Sequence, residues 1–124
     1  MEQARSDLHW AEHLVEQGAF DLASFLAQQV AEKALKAYLY SRDEEMVLGH
    51  SVERLTSECA EYDGEFSVKR SGWVILDAYY VSARYPNALP DSIPARIFDQ
   101  ATGERAVALA REVVDFVGRR LKVM

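Results

Sequence analysis

The chain of 124 residues is poor in the elements that make compact chemistry easy to read. It has a single cysteine, Cys59, which excludes an internal disulfide and is expected to be a small buried hydrophobe in a reducing compartment. It lacks paired cysteines of zinc spacing, a phosphate-cradling glycine loop and a glycine-flanked nucleophilic serine. No catalytic residue, metal or cofactor is therefore assigned. There is no run of about 18 apolar residues and no amino-terminal basic-then-apolar segment, so neither a membrane span nor export is expected, and the expected location is the cytoplasm. Basic residues are outnumbered, giving a formal charge of −6. That deficit argues against strong unaided binding to long nucleic acid, which needs a basic footprint. Alternating strand patterns and internal repeats are also missing, so an all-α chain of one domain over residues 1–124 is expected.

What is present is helical. Residues 20–41, FDLASFLAQQVAEKALKAYLYS, contain neither glycine nor proline and are dominated by strong helix formers. At about 100° per residue, Ala23, Ala27, Val30, Ala31, Ala34, Leu35, Ala37 and Tyr38 share a broad arc suited to several packed neighbours. This segment is expected to be the central helix of an up-and-down bundle of four to five helices. Its other arc carries Gln28, Gln29, Glu32, Lys33 and Lys36, with Phe25 among them. The arc reads as a solvated face laced by Gln29–Lys33 and Glu32–Lys36 pairs. It reads alternatively as a recognition face, because Phe25 would otherwise be an exposed aromatic.

The flanking segments follow the same logic. Residues 1–17 form a first helix with Leu8, Ala11 and Val15 on one side, and Gly18 permits a tight stop. His9, His13 and Glu16 lie on its far side at metal-compatible spacing, but one helix face without a second ligand source reads as solvated side chains. A charged connector over residues 42–49 leads to His50 and to Ser51, the expected N-cap of a short third helix ending near Tyr62. His50 reads as a ring packed across the start of that helix, or alternatively as a catalytic group. Residues 67–83 form a fourth helix with apolar residues around most of its circumference, and Gly72 within it suggests close helix approach. The excess motivates a homodimer using Trp73, Tyr79 and Tyr80. All three prolines fall within the nine residues from Pro86 to Pro94, which predicts a stiff extended loop. A last helix is expected from near Ala95 to about Leu121, with Gly103 as a possible kink. Arg84 opens the proline loop, where its guanidinium either grips a phosphate or bonds the free carbonyls at the helix end.

The order and wording of these pieces carry a resemblance. The stretch AxxxQQxAEKALKAYL (residues 23–39), then Gly49-His50-Ser51, then Tyr80-Val81-Ser82-Ala83-Arg84-Tyr85-Pro86, then an Ala-rich closing helix resembles the HEPN domain family over nearly the whole chain. The resemblance implies an α-helical, commonly dimeric domain of a bacterial or archaeal cytoplasm. Many members are metal-independent RNases or RNA-binding modules, often paired with a minimal nucleotidyltransferase in toxin–antitoxin systems. The RNase members place a His four to six residues after an Arg. Arg84 fits the arginine, but no His follows it here. The expected function is thus non-catalytic: binding of a nucleotide or RNA end beside a nucleotidyltransferase partner. Arg84 would hold phosphate, Tyr85 would stack on a base, and Lys33, Lys36 and Asn87 would support them. The alternatives are a ribonuclease with a base from elsewhere in the chain, and a structural module docking another protein through residues 28–36.

Overall fold

The computed structural model describes residues 1–84 and 98–122, with only the backbone for residues 81–84. Its helices are α1 (Glu2–Glu16), α2 (Phe20–Ser41), α3 (Val52–Ala60), α4 (Phe66–Trp73), α5 (Asp77–Arg84) and α6 (Gln100–Lys122). A 3-10 turn, Val74–Leu76, joins α4 to α5, so the expected fourth helix is one helical stretch tightened in its middle. The two β-branched neighbours Val74 and Ile75 stand at that tightening, where χ1 crowding weakens α-helix. The described residues contain no strand. None of their helices is long and apolar enough to cross a membrane.

The central role of α2 follows from its alanines. Ala23, Ala27, Ala31 and Ala34 are fully buried with Val30 and Leu35, and short side chains let α1, α3, α5 and α6 all pack on one helix. Gly18 supplies the reversal between α1 and α2 with φ +79°, and the turn is closed by Gly18 N–H to Val15 O (3.0 Å) and Ala19 N–H to Leu14 O (2.9 Å). Ser51 caps α3 as its sequence position predicts: its Oγ accepts from Arg54 N at 3.1 Å. Cys59 is buried at the Leu35 carbonyl, and burial pushes its thiol pKa up.

Two expectations are overturned by packing. Trp73 is 1% exposed and packs edge-on against Phe66 and Phe116, with Nε1 donating to Glu112 Oε1 at 3.3 Å. Phe66 also meets Tyr38, so these rings tie α2, α4 and α6 into one aromatic core. Trp73 is therefore a core residue and cannot face a second chain without opening the bundle. The glycines exchange roles as well. Gly72 has open space where a Cβ would stand, whereas at Gly103 that Cβ would lie 3.1 Å from Phe20 Cδ1. Gly103 marks a close approach of α6 to the start of α2 inside an uninterrupted helix, rather than a kink. The start of the last helix near Ala95 and the proline loop fall outside the described residues.

Candidate functional site

The polar arc of α2 is not solvated along its length. Ser24, Gln28 and Glu32 are buried, and with Lys36 they form a stripe at four-residue spacing, one above the next on the helix surface. Burying such groups is costly unless they are bonded. The connector before α3 supplies most of the partners. Gln28 Nε2 donates to the His50 carbonyl at 2.7 Å, and Gln29 Nε2 donates to Gln28 Oε1 at 2.7 Å. Glu32 Oε1 lies 2.5 Å from His50 Nδ1 and 3.2 Å from Lys36 Nζ. Of the two expected pairs, Glu32–Lys36 forms, while Lys33 turns to Asp7 on α1. Ser24 Oγ has no partner among the described residues.

Aromatic contacts continue the cluster across to α5. The His50 ring lies parallel to Tyr80, with centroids 5.1 Å apart and planes 13° apart. Tyr80 in turn meets Phe25 at 6.0 Å, which explains the aromatic on the polar arc of α2. Asp77, one turn earlier on α5, closes the other side. Its carboxylate accepts from Val52 N (2.6 Å), Glu53 N (3.1 Å) and Ser51 Oγ (3.2 Å), satisfying free donors at the start of α3. His50, Ser51, Asp77 and Tyr80 line a shallow cleft of about 220 Å³. The His50 side chain keeps 57% exposure.

Arg84 ends α5 four residues after Tyr80, a rise of about 6 Å along the helix on the same face. The fold thus links Lys36, Glu32, His50 and Tyr80 through successive contacts, with the backbone position of Arg84 one turn further along α5. Lys33, held by Asp7, belongs to the α1–α2 seam. Tyr79 is half-buried edge-on against Phe98, and burial raises its hydroxyl pKa. Tyr85 and Asn87 lie outside the described residues. His9 and His13 stand on either side of Trp10, with His13 Nδ1 3.9 Å from Glu16. No three His, Cys, Asp or Glu among the described residues are grouped to hold a metal. The sequence offered Gln28 and Glu32 as part of an alternative recognition face and His50 chiefly as a structural ring, and it gave no sign of Asp77. The signal for the first two was the polar run at four-residue spacing on an otherwise Ala-rich helix.

The helices packed around the Ala-rich α2 make the protein an all-α bundle. The chain belongs to the HEPN domain family, whose model matches residues 1–121. It is similar to TT1696 from Thermus thermophilus, at 33% identity and a TM-score of 0.80, covering 95% of this chain and 92% of that one. It is also similar to ST0689, an archaeal HEPN homologue, at 26% identity and a TM-score of 0.70, covering 96% and 92% respectively. No curated protein matches the chain.

Proposed function

We propose that this chain is a non-catalytic, homodimeric HEPN protein that binds a nucleotide or an RNA end and acts with a minimal nucleotidyltransferase partner in a toxin–antitoxin type pair. The observation that carries the reading is the stack of His50 on Tyr80 one helical turn from Arg84. An exposed imidazole face offers a base a stacking surface, and a guanidinium one turn on offers its phosphate a planar fork. Lys36 adds positive charge beside Glu32, and Tyr85 and Asn87 follow Arg84 closely in sequence. The charge of −6 favours a small ligand or an RNA end over a long RNA. Tyr79 and Tyr80 are the proposed contacts to a second copy. The test is calorimetric titration with ATP, AMP and a short RNA against wild type, Arg84→Ala and His50→Ala. Saturable binding that is lost in Arg84→Ala is the expected result, and no binding by ligand-free wild type overturns the reading.

One observation favours the ribonuclease alternative. The three histidines are His9, His13 and His50, and among the described residues His50 alone of them approaches the helix that ends in Arg84. Glu32 on Nδ1 would fix its tautomer, leaving Nε2 as the proton-transfer atom. RNA cleavage that persists in chelator and disappears in both Arg84→Ala and His50→Gln is the outcome that selects this alternative.

A further inference from the structure

Next along the connector from the His50 site, the structure holds two large apolar side chains out in water. Met46 is 73% exposed and Leu48 is 69% exposed, while Val47 between them is buried in the core. Isolated exposed apolar residues are ordinary. These two project from one short segment that is tethered on both sides. Before it, Tyr62 Oη donates to Glu44 at 2.8 Å. Within it, Val47 N–H donates to Tyr40 Oη at 3.4 Å. After it, Gly49 takes φ +95° and Gln28 holds the His50 carbonyl. The segment is therefore fixed in place with its apolar pair outward.

The cleft that Met46 and Leu48 share with the outer face of α3 has a volume of about 440 Å³. Glu44, Glu58 and Glu61 stand around it, and the cation in its lining, Arg54, is already on Glu58 at 3.3 Å. A surface of two outward apolar side chains flanked by the carboxylates of Glu44 and Glu61, with Glu58 paired to Arg54, complements a chain segment that alternates cationic and apolar side chains. It repels a phosphate backbone and an anionic lipid surface alike. Methionine adds an adaptable contact for an apolar anchor.

We propose that the cleft between the connector and α3 is a docking site for a basic segment of a partner protein, anchored by an apolar side chain on Met46 and Leu48. The cleft shares no lining residue with the one at His50 and Tyr80. The test is fluorescence anisotropy of the full chain with two labelled probes of about 12 residues, roughly the length of a docking segment: one alternating Lys and Leu, one alternating Glu and Leu. The Lys–Leu probe is expected to bind saturably and to weaken with salt. Affinity should fall about tenfold or more in Met46→Ser/Leu48→Ser and, separately, in Glu58→Lys/Glu61→Lys. All four positions are at the surface of the cleft, so thermal midpoints of both variants serve as the folding control. Equal binding of the Glu–Leu probe, no binding of the Lys–Leu probe, or binding that neither variant changes overturns the proposal.

Discussion

The ring of His50 lies against that of Tyr80 almost in parallel, 13° apart, while Glu32 holds the same imidazole by its Nδ1. Three elements therefore set one side chain. Helix α2 supplies the carboxylate, the connector supplies the histidine, and α5 supplies the ring beneath it. Arg84 rides on that last helix, so the packing that fixes His50 also fixes the distance from the imidazole to the arginine's turn.

Glu32 is the member whose loss should be felt most. It is buried and accepts from both Lys36 and His50. Glu32→Ala is expected to cost about 1–3 kcal/mol, since two donors lose their acceptor. The outcome should fall toward the lower end, because both donors reach solvent and can rehydrate. Glu32→Gln should cost less, since it keeps one acceptor. Urea denaturation of the two variants, together with His50→Ala and Glu32→Ala/His50→Ala, gives the coupling. A coupling of about 0.5 kcal/mol or more is expected for residues in contact, and strict additivity would show that the pair contributes nothing to stability.

Trp73 separates a core role from an interface role. Trp73→Ala is expected to cost about 3–5 kcal/mol, because it removes a buried ring packed against both Phe66 and Phe116. The loss should appear in denaturant midpoints at every protein concentration tested. A variant of unchanged stability that shifts mass in light scattering would return Trp73 to an interface.

The polar arc of α2 and the apolar surplus of residues 67–83 were hard to read for one physical reason. Helical periodicity tells which residues share a face but not what arrives to cover that face. The apolar arc of α2 was legible because alanines and Leu35 admit no other role at such density. The polar arc was not, because its cover comes from His50 and Tyr80, distant in sequence. The apolar surplus of residues 67–83 likewise looked like unsatisfied surface until Phe116, on the last helix, met Trp73. Local signals fared better: Ser51 as a cap and Gly18 as a stop depend on neighbours in sequence, and both stand as read. Arg84 was legible as a position at a helix end, and His50 as a residue with two readings, while the contacts of His50 with Glu32 and Tyr80 came only through the fold.

The start of α6 should respond to pH. Asp99 accepts from Thr102 N at 2.8 Å, and that backbone hydrogen bond, joined by one from the Thr102 side chain, holds its carboxyl below the usual carboxylate range. A lowered folded value means that the bonds favour the charged form. Their contribution is complete above the unfolded value of about 3.9 and is lost as pH falls through the lower folded value. Asp99→Asn keeps a capping oxygen at every pH. The stability difference between wild type and Asp99→Asn should therefore stay flat from about pH 5 upward and move against wild type below about pH 4. Denaturant midpoints from acid to neutral pH check this, and a difference that is constant throughout would mean that the carboxylate charge plays no part.

Two helical glycines give opposite expectations for the same substitution. Alanine is favoured over glycine in a helix by about 1 kcal/mol, partly because it restricts the unfolded chain. Gly72 has nothing within 4 Å of a new Cβ, so Gly72→Ala should realise most of that gain. At Gly103 the new Cβ would meet Phe20 Cδ1 at 3.1 Å, Phe20 Cβ at 3.2 Å and Phe20 Cα at 3.4 Å. A ring can swing aside, but Cβ and Cα move only with the backbone, and Phe20 is the first residue of α2. Relief therefore requires the start of α2 to shift away from α6, loosening the contact that seats the central helix. Gly103→Ala should consequently gain nothing and melt below Gly72→Ala by several degrees, since about 1 kcal/mol moves the midpoint of a domain this size by roughly 4 °C. Equal stabilisation of the two variants in thermal denaturation would show that α2 and α6 have slack at this crossing.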